Sequence, residues 1–180
     1  MADHYCDYAI GDPLHGPYHD TEYGFPIADD DFLFARLVLE INQAGLSWAT
    51  ILKKKSNFFA AYDNFDIAKV AAYGETARAR LLADAGIIRN RLKVNAAIVN
   101  AGRLIGIRAE DGSFKAWLDK HHPQELADWV KLFRANFKFT GPEIVREFLV
   151  SSGYLPDAHR PDCPVYAEIA KLNPPWMRSQ

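Results

Sequence analysis

The chain has 180 residues, 49% of them apolar, with a formal net charge of −2. That excludes a disordered chain and argues against a strongly basic nucleic-acid binder, leaving one domain or at most two small lobes. No apolar run reaches the length of a membrane span, residues 1–7 carry no leader pattern, and two cysteines make no disulfide framework, so a cytoplasmic protein with no membrane partner is expected.

Residues 1–28 are rich in Asp, His, Tyr, Pro and Gly without a period, and are predicted irregular. Asp29, Asp30 and Asp31 then place acids at a helix start, where the macrodipole favours them. This helix ends near Gly45 and is apolar on nearly every side, the pattern of a buried helix. It nevertheless carries Glu40, three residues after Leu37 and four before Ala44, on a core-facing stripe. Carboxylates are almost never fully buried unless paired. An acid, a break at Gly45-Leu46 and a large aromatic, Trp48, together suggest a pocket. Ser47 caps a second helix through Lys54. Further helices are predicted at 57–62, 66–73, 75–84, 89–105, 113–121, 125–134 and 142–152, with a loop over 105–113. Pro142 suits the first turn of the last. After Gly153 the chain turns irregular again, apart from a short helix at Tyr166–Leu172. The β-branched residues are scattered without alternation, so the expected class is all-α: a single domain over 1–180 with its helical body at 29–152.

Charge is unevenly spread. Residues 1–40 hold nine acids against Arg36 alone, while residues 76–108 hold seven bases against Asp84 alone. Such asymmetry suits an anion-binding face, and equally a pair of solvated helix faces. Two glycine-centred hairpins, Ala85–Arg91 and Phe137–Pro142, lie between predicted helices. Each can hold a phosphate on free N–H groups or serve as a plain helix cap. Cys6 and His19 near one end, with His159 and Cys163 near the other, have the composition of a structural zinc site. Ordinary buried thiols or a bonded pair are the alternatives, with His4 and His15 as competing ligands. Tyr5, Tyr8, Tyr18, Tyr23 and Trp48 are rigid, amphipathic side chains of the kind that line ligand pockets, though any one of them can be plain core. Trp117, Trp129, Phe133 and Phe148 fall on helical patterns and are assigned to packing.

Several strings resemble the DNA-3-methyladenine glycosylase I family: Asp12-Pro13-Leu14, Tyr18-His19-Asp20-Thr21-Glu22-Tyr23-Gly24, Leu39-Glu40, Gln43-Ala44-Gly45-Leu46-Ser47-Trp48, Ile51 to Lys54, Gly86-Ile87-Ile88-Arg89, Phe137 to Gly141, and His159-x3-Cys163. The resemblance implies a helix-hairpin-helix fold whose termini meet at one structural zinc, held by Cys6, His19, His159 and Cys163. It implies a monofunctional hydrolase that excises alkylated purines, chiefly 3-methyladenine, from double-stranded DNA, acting as a monomer. Glu40 carries over as the acid of the site, with Tyr18 and Trp48 sandwiching the base and Tyr8 and Tyr23 at two further aromatic positions. Gly45 and Leu46 match the tip pressed into the gap in the duplex; Lys138, Thr140 and Gly141 match the phosphate-gripping hairpin. The family commonly has Trp where this chain has Tyr8 and Tyr23, an aromatic where it has His15, and a small residue where it has Ile41. Those departures leave a shifted lesion preference open, as would a pocket kept only for binding damage. One carboxylate cannot easily both hold the base edge and activate water on the far side, so Glu40 is expected to read the base. Asp157 is expected either to act on water or to orient His159.

Overall fold

The computed structural model describes residues 4–178, which contain eleven α-helices and no strand. None of the helices is long and apolar enough to cross a membrane. Two short helices, α1 (Tyr5–Ala9) and α2 (Gly16–Thr21), form inside the segment expected to be irregular. Side-chain-to-backbone bonds organise them, which no hydrophobic period reveals. His4 Nδ1 accepts the N–H of Cys6, and the Asp7 carboxylate accepts that of His4. Asp12 accepts the N–H groups of Leu14 and His15 at 2.8 and 2.7 Å, turning the chain from α1 into α2.

Helix α3 (Asp30–Gln43) starts on Asp29, which accepts the N–H of Phe32 at 3.0 Å. Ser47 caps α4 (Trp48–Ala61) as expected, but α4 is one continuous helix where two pieces were predicted. The polar run Lys53–Asn57 lies largely on its outer side, and Ile51 and Phe58 are buried. After α5 (Ile67–Ala71) and α6 (Glu75–Ala83) comes α7 (Arg91–Asp111), which runs through the predicted loop at 105–113. Leu104 and Ile107 keep helical spacing toward the core, and the helix stops at Gly112, whose φ of 88° suits glycine. Helices α8 (Phe114–His121), α9 (Leu126–Asn136), α10 (Pro142–Ser151) and α11 (Pro164–Lys171) complete the chain.

Helix α3 runs through the core, burying Leu33, Phe34, Leu37, Val38 and Ile41, and packs against α4, α7, α8 and α10. Trp117, Trp129, Phe133 and Phe148 are buried in the same core, as expected. Asp30 locks the start of α3 to two other helices. Its carboxylate accepts the N–H groups of Phe114 and Lys115 at 2.8 and 3.0 Å and the Arg108 Nε–H at 2.9 Å. Asp30→Ala would leave buried helix-start donors unpaired and is expected to cost about 2–4 kcal/mol in urea unfolding. A loss under about 1 kcal/mol would show that water replaces the carboxylate there.

Candidate active site and metal cluster

Glu40 lies at the floor of a cavity of about 570 Å³, lined also by Tyr5, Tyr8, Tyr18, Tyr23, Gln43, Trp48, Arg146, Glu147 and Asp157. It is 4% exposed, and its carboxylate takes part in no hydrogen bond among the described residues. Burial pushes its pKa up to about 8; Arg36, one turn earlier, pulls it down, and Glu147 across the pocket pushes it further up. A buried acid without a partner in the protein is costly to keep, and such groups concentrate at functional sites.

The walls are aromatic. Tyr18 is buried, and its hydroxyl accepts from Arg36 Nη1 at 3.1 Å. The Tyr18 and Trp48 rings lie 5.2 Å apart at 56° to one another. They therefore touch and form a corner, leaving no room for a base sandwiched between them as expected. Tyr23 stands 5.7 Å from Tyr18 and donates its hydroxyl to Glu147 at 3.3 Å; Tyr8 is exposed at the mouth. The Trp48 indole N–H is buried without a partner. Two residues singled out in the sequence lie elsewhere. Ile41 is buried in the main core, because its neighbour on a helix faces about 100° away, and His15 stands behind the wall, bonded to the Tyr5 hydroxyl at 3.0 Å. Gln43, Arg146 and Glu147 were missed. Gln43 was legible, three residues beyond Glu40; the α10 pair is placed by long-range packing alone.

Gly45, at φ 79°, turns the chain out of α3 and leaves Leu46 exposed beside the pocket. The carbonyls that end α3 are held by Lys93, whose buried ammonium donates to Asn42 and Ala44 at 2.8 and 2.6 Å. A cation at a helix C-terminus is favourable, and here it also fixes the tip on α7. Opposite the tip, Asn100 on α7 organises the second hairpin. Its amide donates to the Lys138 carbonyl at 3.0 Å and accepts the Lys138 N–H at 2.7 Å. Thr140 is buried and donates to the Phe137 carbonyl, so its side chain shapes the hairpin from within. The N–H groups of Phe139, Thr140 and Gly141 take part in no hydrogen bond among the described residues, and Lys138 is exposed.

Cys6, His19, His159 and Cys163 come together as expected, all buried, with donor atoms within 4.8 Å of one another. Both cysteines are free thiols. His19 Nδ1–H donates to Asp20 at 2.7 Å and His159 Nε2–H to the Tyr23 carbonyl at 2.7 Å. Those outer bonds leave His19 Nε2 and His159 Nδ1 as lone pairs facing the sulfurs, the arrangement that orients metal-bound imidazoles. Asp157 does not orient His159 as one expectation held: the Tyr23 carbonyl does, and Asp157 stands exposed on the pocket wall. Gly24 permits the approach, since a Cβ there would meet Ala158 Cβ at 2.5 Å. Burial drives His159 down to about 4, so it is neutral, and pushes the Cys6 thiol up to about 11. A cation among these four groups would favour the thiolate form of Cys6.

A buried acid in an aromatic pocket, an apolar tip and an asparagine-braced hairpin between α9 and α10 define a helix-hairpin-helix DNA glycosylase. Comparison with known proteins bears this out. The model described as methyladenine glycosylase matches residues 8–131, and the chain belongs to that family. It is 35% identical to DNA-3-methyladenine glycosylase 1 of Escherichia coli (strain K12), across 84% of this chain and 91% of the relative. It is 30% identical to DNA-3-methyladenine glycosylase of Haemophilus influenzae, across 88% and 96%. The structure of 3-methyladenine DNA glycosylase I from Staphylococcus aureus superposes with a TM-score of 0.79 at 34% identity, covering 89% of this chain and 95% of that one.

Proposed function

We infer that this chain is a monofunctional glycosylase that hydrolyses the N-glycosidic bond of 3-methyladenine in double-stranded DNA. The observation that carries this reading is the unpartnered Glu40 carboxylate at the floor of an aromatic pocket. Methylation at N3 makes the purine cationic and weakens its bond to the sugar. The protein therefore has no poor leaving group to activate; its work is to extract the base and tell it from adenine. A flipped cationic purine gives Glu40 what the described residues do not: N–H donors in hydrogen-bond contact, carried on a positive charge. The rings of Tyr18 and Trp48 add cation–π attraction of roughly 0.5–2 kcal/mol from two walls of a corner. Among the described residues no lysine lines the pocket, which supports hydrolysis by water over a Schiff-base route.

Zinc suits the Cys2His2 cluster. Around a tetrahedral zinc, bonds of about 2.3 Å to sulfur and about 2.05 Å to nitrogen make S···N edges of about 3.6 Å. The edges here are 3.6 Å from Cys6 to His159, 3.5 Å from Cys163 to His159, and 3.7 Å from Cys163 to His19. Bound there, the metal supplies a covalent staple between the two ends of the chain. Four protein ligands leave no open position for water, which argues against a zinc hydrolase.

The ionised Glu40 is the form that accepts at both oxygens and offsets the charge of a cationic purine. Since burial holds its pKa near 8, kcat/KM is expected to climb about tenfold per pH unit below that value and to level off above it. Binding of free 3-methyladenine, followed by quenching of tryptophan fluorescence, tests the pocket directly. Tighter binding than adenine is expected, and equal binding of the two would refute the recognition role.

A further inference from the structure

Glu147 has no task in the reading above. It stands on α10, which packs against α3, and its charge acts on Glu40 across the pocket. The two acids differ in their surroundings. Glu40 is 4% exposed, whereas the Glu147 side chain is 34% exposed and within reach of water. One Glu147 oxygen accepts from the Tyr23 hydroxyl at 3.3 Å, and the other accepts from Arg146 Nη1 at 2.5 Å. A carboxylate offers about four lone-pair sites, so acceptor capacity remains on an oriented group. A second cavity, of about 500 Å³, opens between the two duplex-facing elements. Gly45 and Leu46 line one side of it, and Gly141, Pro142 and Ile144 the other. Among the described residues, three line both this cavity and the aromatic pocket: Glu40, Gln43 and Glu147.

A strand gripped at the free N–H groups of Phe139–Gly141, with Leu46 filling the place its base has left, crosses the second cavity. With the flipped base in the aromatic pocket, the glycosidic bond lies where the two cavities meet, beside those three residues. Glu40 is taken up by the base edge, and Gln43 carries no charge. Two other acids are nearby, but Asp157 lines the aromatic pocket alone and Glu143 the second cavity alone. We propose that Glu147 is the carboxylate that holds the attacking water against the sugar and takes its proton. The assignment rests on the glycosylase reading. The bond from C1′ to N9 breaks, and its electron pair leaves with the base, which departs as neutral 3-methyladenine. The water oxygen bonds to C1′, and the proton it sheds passes to Glu147 and then to solvent. The anionic carboxylate also offsets the positive charge that develops on the sugar as the base departs. Two acids thus divide the work that one could not do from both sides of the nucleotide.

The test measures single-turnover excision from methylated duplex DNA by the full chain, for wild type, Glu147→Gln and Glu147→Ser. Affinity for free 3-methyladenine and melting temperature are taken on the same proteins. Glu147→Gln keeps the shape and an acceptor for Tyr23. It is expected to lower the maximal rate about tenfold or more while leaving free-base affinity within about twofold of wild type and melting unchanged. A residue that merely propped Tyr23 would alter base binding or melting along with the rate. Glu147→Ser removes the carboxylate outright and opens space, so its excision is expected to be slow and to recover in part with added formate. That rescue reads the missing carboxylate even if one variant folds poorly. A wild-type rate in both variants would overturn the assignment and leave the glycosylase reading standing. So would a rate loss matched by an equal loss of free-base affinity, which would put Glu147 on the base edge. A wild-type chain that frees no base from methylated DNA would sink the glycosylase reading itself, and the assignment with it.

Discussion

Glu40→Gln is expected to make the protein more stable and nearly inactive. The carboxyl's folded pKa of about 8 lies well above its unfolded value of about 4.5. The folded state therefore keeps a proton that the unfolded chain releases, and stability falls as pH rises between those two values. At pH 7 the carboxylic acid costs roughly 2–4 kcal/mol relative to a group that does not titrate. Glutamine removes that dependence while keeping the shape, so a gain of about 5–10 °C in melting temperature is expected at pH 7, shrinking toward pH 4.5. Excision should fall by about a hundredfold or more, since a neutral amide cannot offset the charge of a cationic purine. Melting curves from pH 4.5 to 8.5 check the first half. A variant less stable than wild type at pH 7 would mean that Glu40 holds the core together, and that its place in the pocket is incidental.

Loss of the metal is the second large effect. Apart from the main core, the described ends of the chain share a small apolar cluster of Cys6, Cys163, Val165 and Ile169, flanked by Phe25 and Tyr166, and an ion pair from Arg160 to Asp7. Four buried side chains are a small core with which to hold the two ends together. Metal-site free energy in small closed Cys/His sites is folding free energy. Chelation, or Cys163→Ala, is expected to remove roughly 4 kcal/mol or more and to lower the melting temperature by about 10 °C. Excision should fail with it, because Tyr8, Tyr18 and Tyr23 reach the pocket from the segment that the cluster anchors. One zinc per chain by elemental analysis is the companion result. Metal-free protein with an unchanged melting temperature would reduce the cluster to four buried side chains.

The long helices were legible because their apolar period is long: α3, α9 and α10 begin and end close to where the pattern places them. Glu40 stood out for the same reason, as the one acid on a stripe that otherwise buries carbon. What escaped was held by bonds that leave no period. Helices α1 and α2 depend on His4, Asp7 and Asp12 side chains caught by nearby backbone. The long α7 hid behind a glycine, Gly106, which a packed helix tolerates at roughly 1 kcal/mol. In the site, residues within one turn of a motif could be found, and Glu147, Asn100 and Lys93 could not. Each owes its place to a contact across more than 35 residues with Tyr23, Lys138 or the end of α3. Ile41 shows the converse error: next to Glu40 in sequence, it points into a different environment.

Chromatography of the bases freed from methylated duplex DNA tests the central claim most directly, with wild type and Glu40→Gln run side by side. Wild type is expected to release free 3-methyladenine, leave abasic sites without cutting the strand, and spare normal adenine, while Glu40→Gln releases at least about a hundredfold less per minute. No free base from wild type, or equal release by the two proteins, would contradict the account.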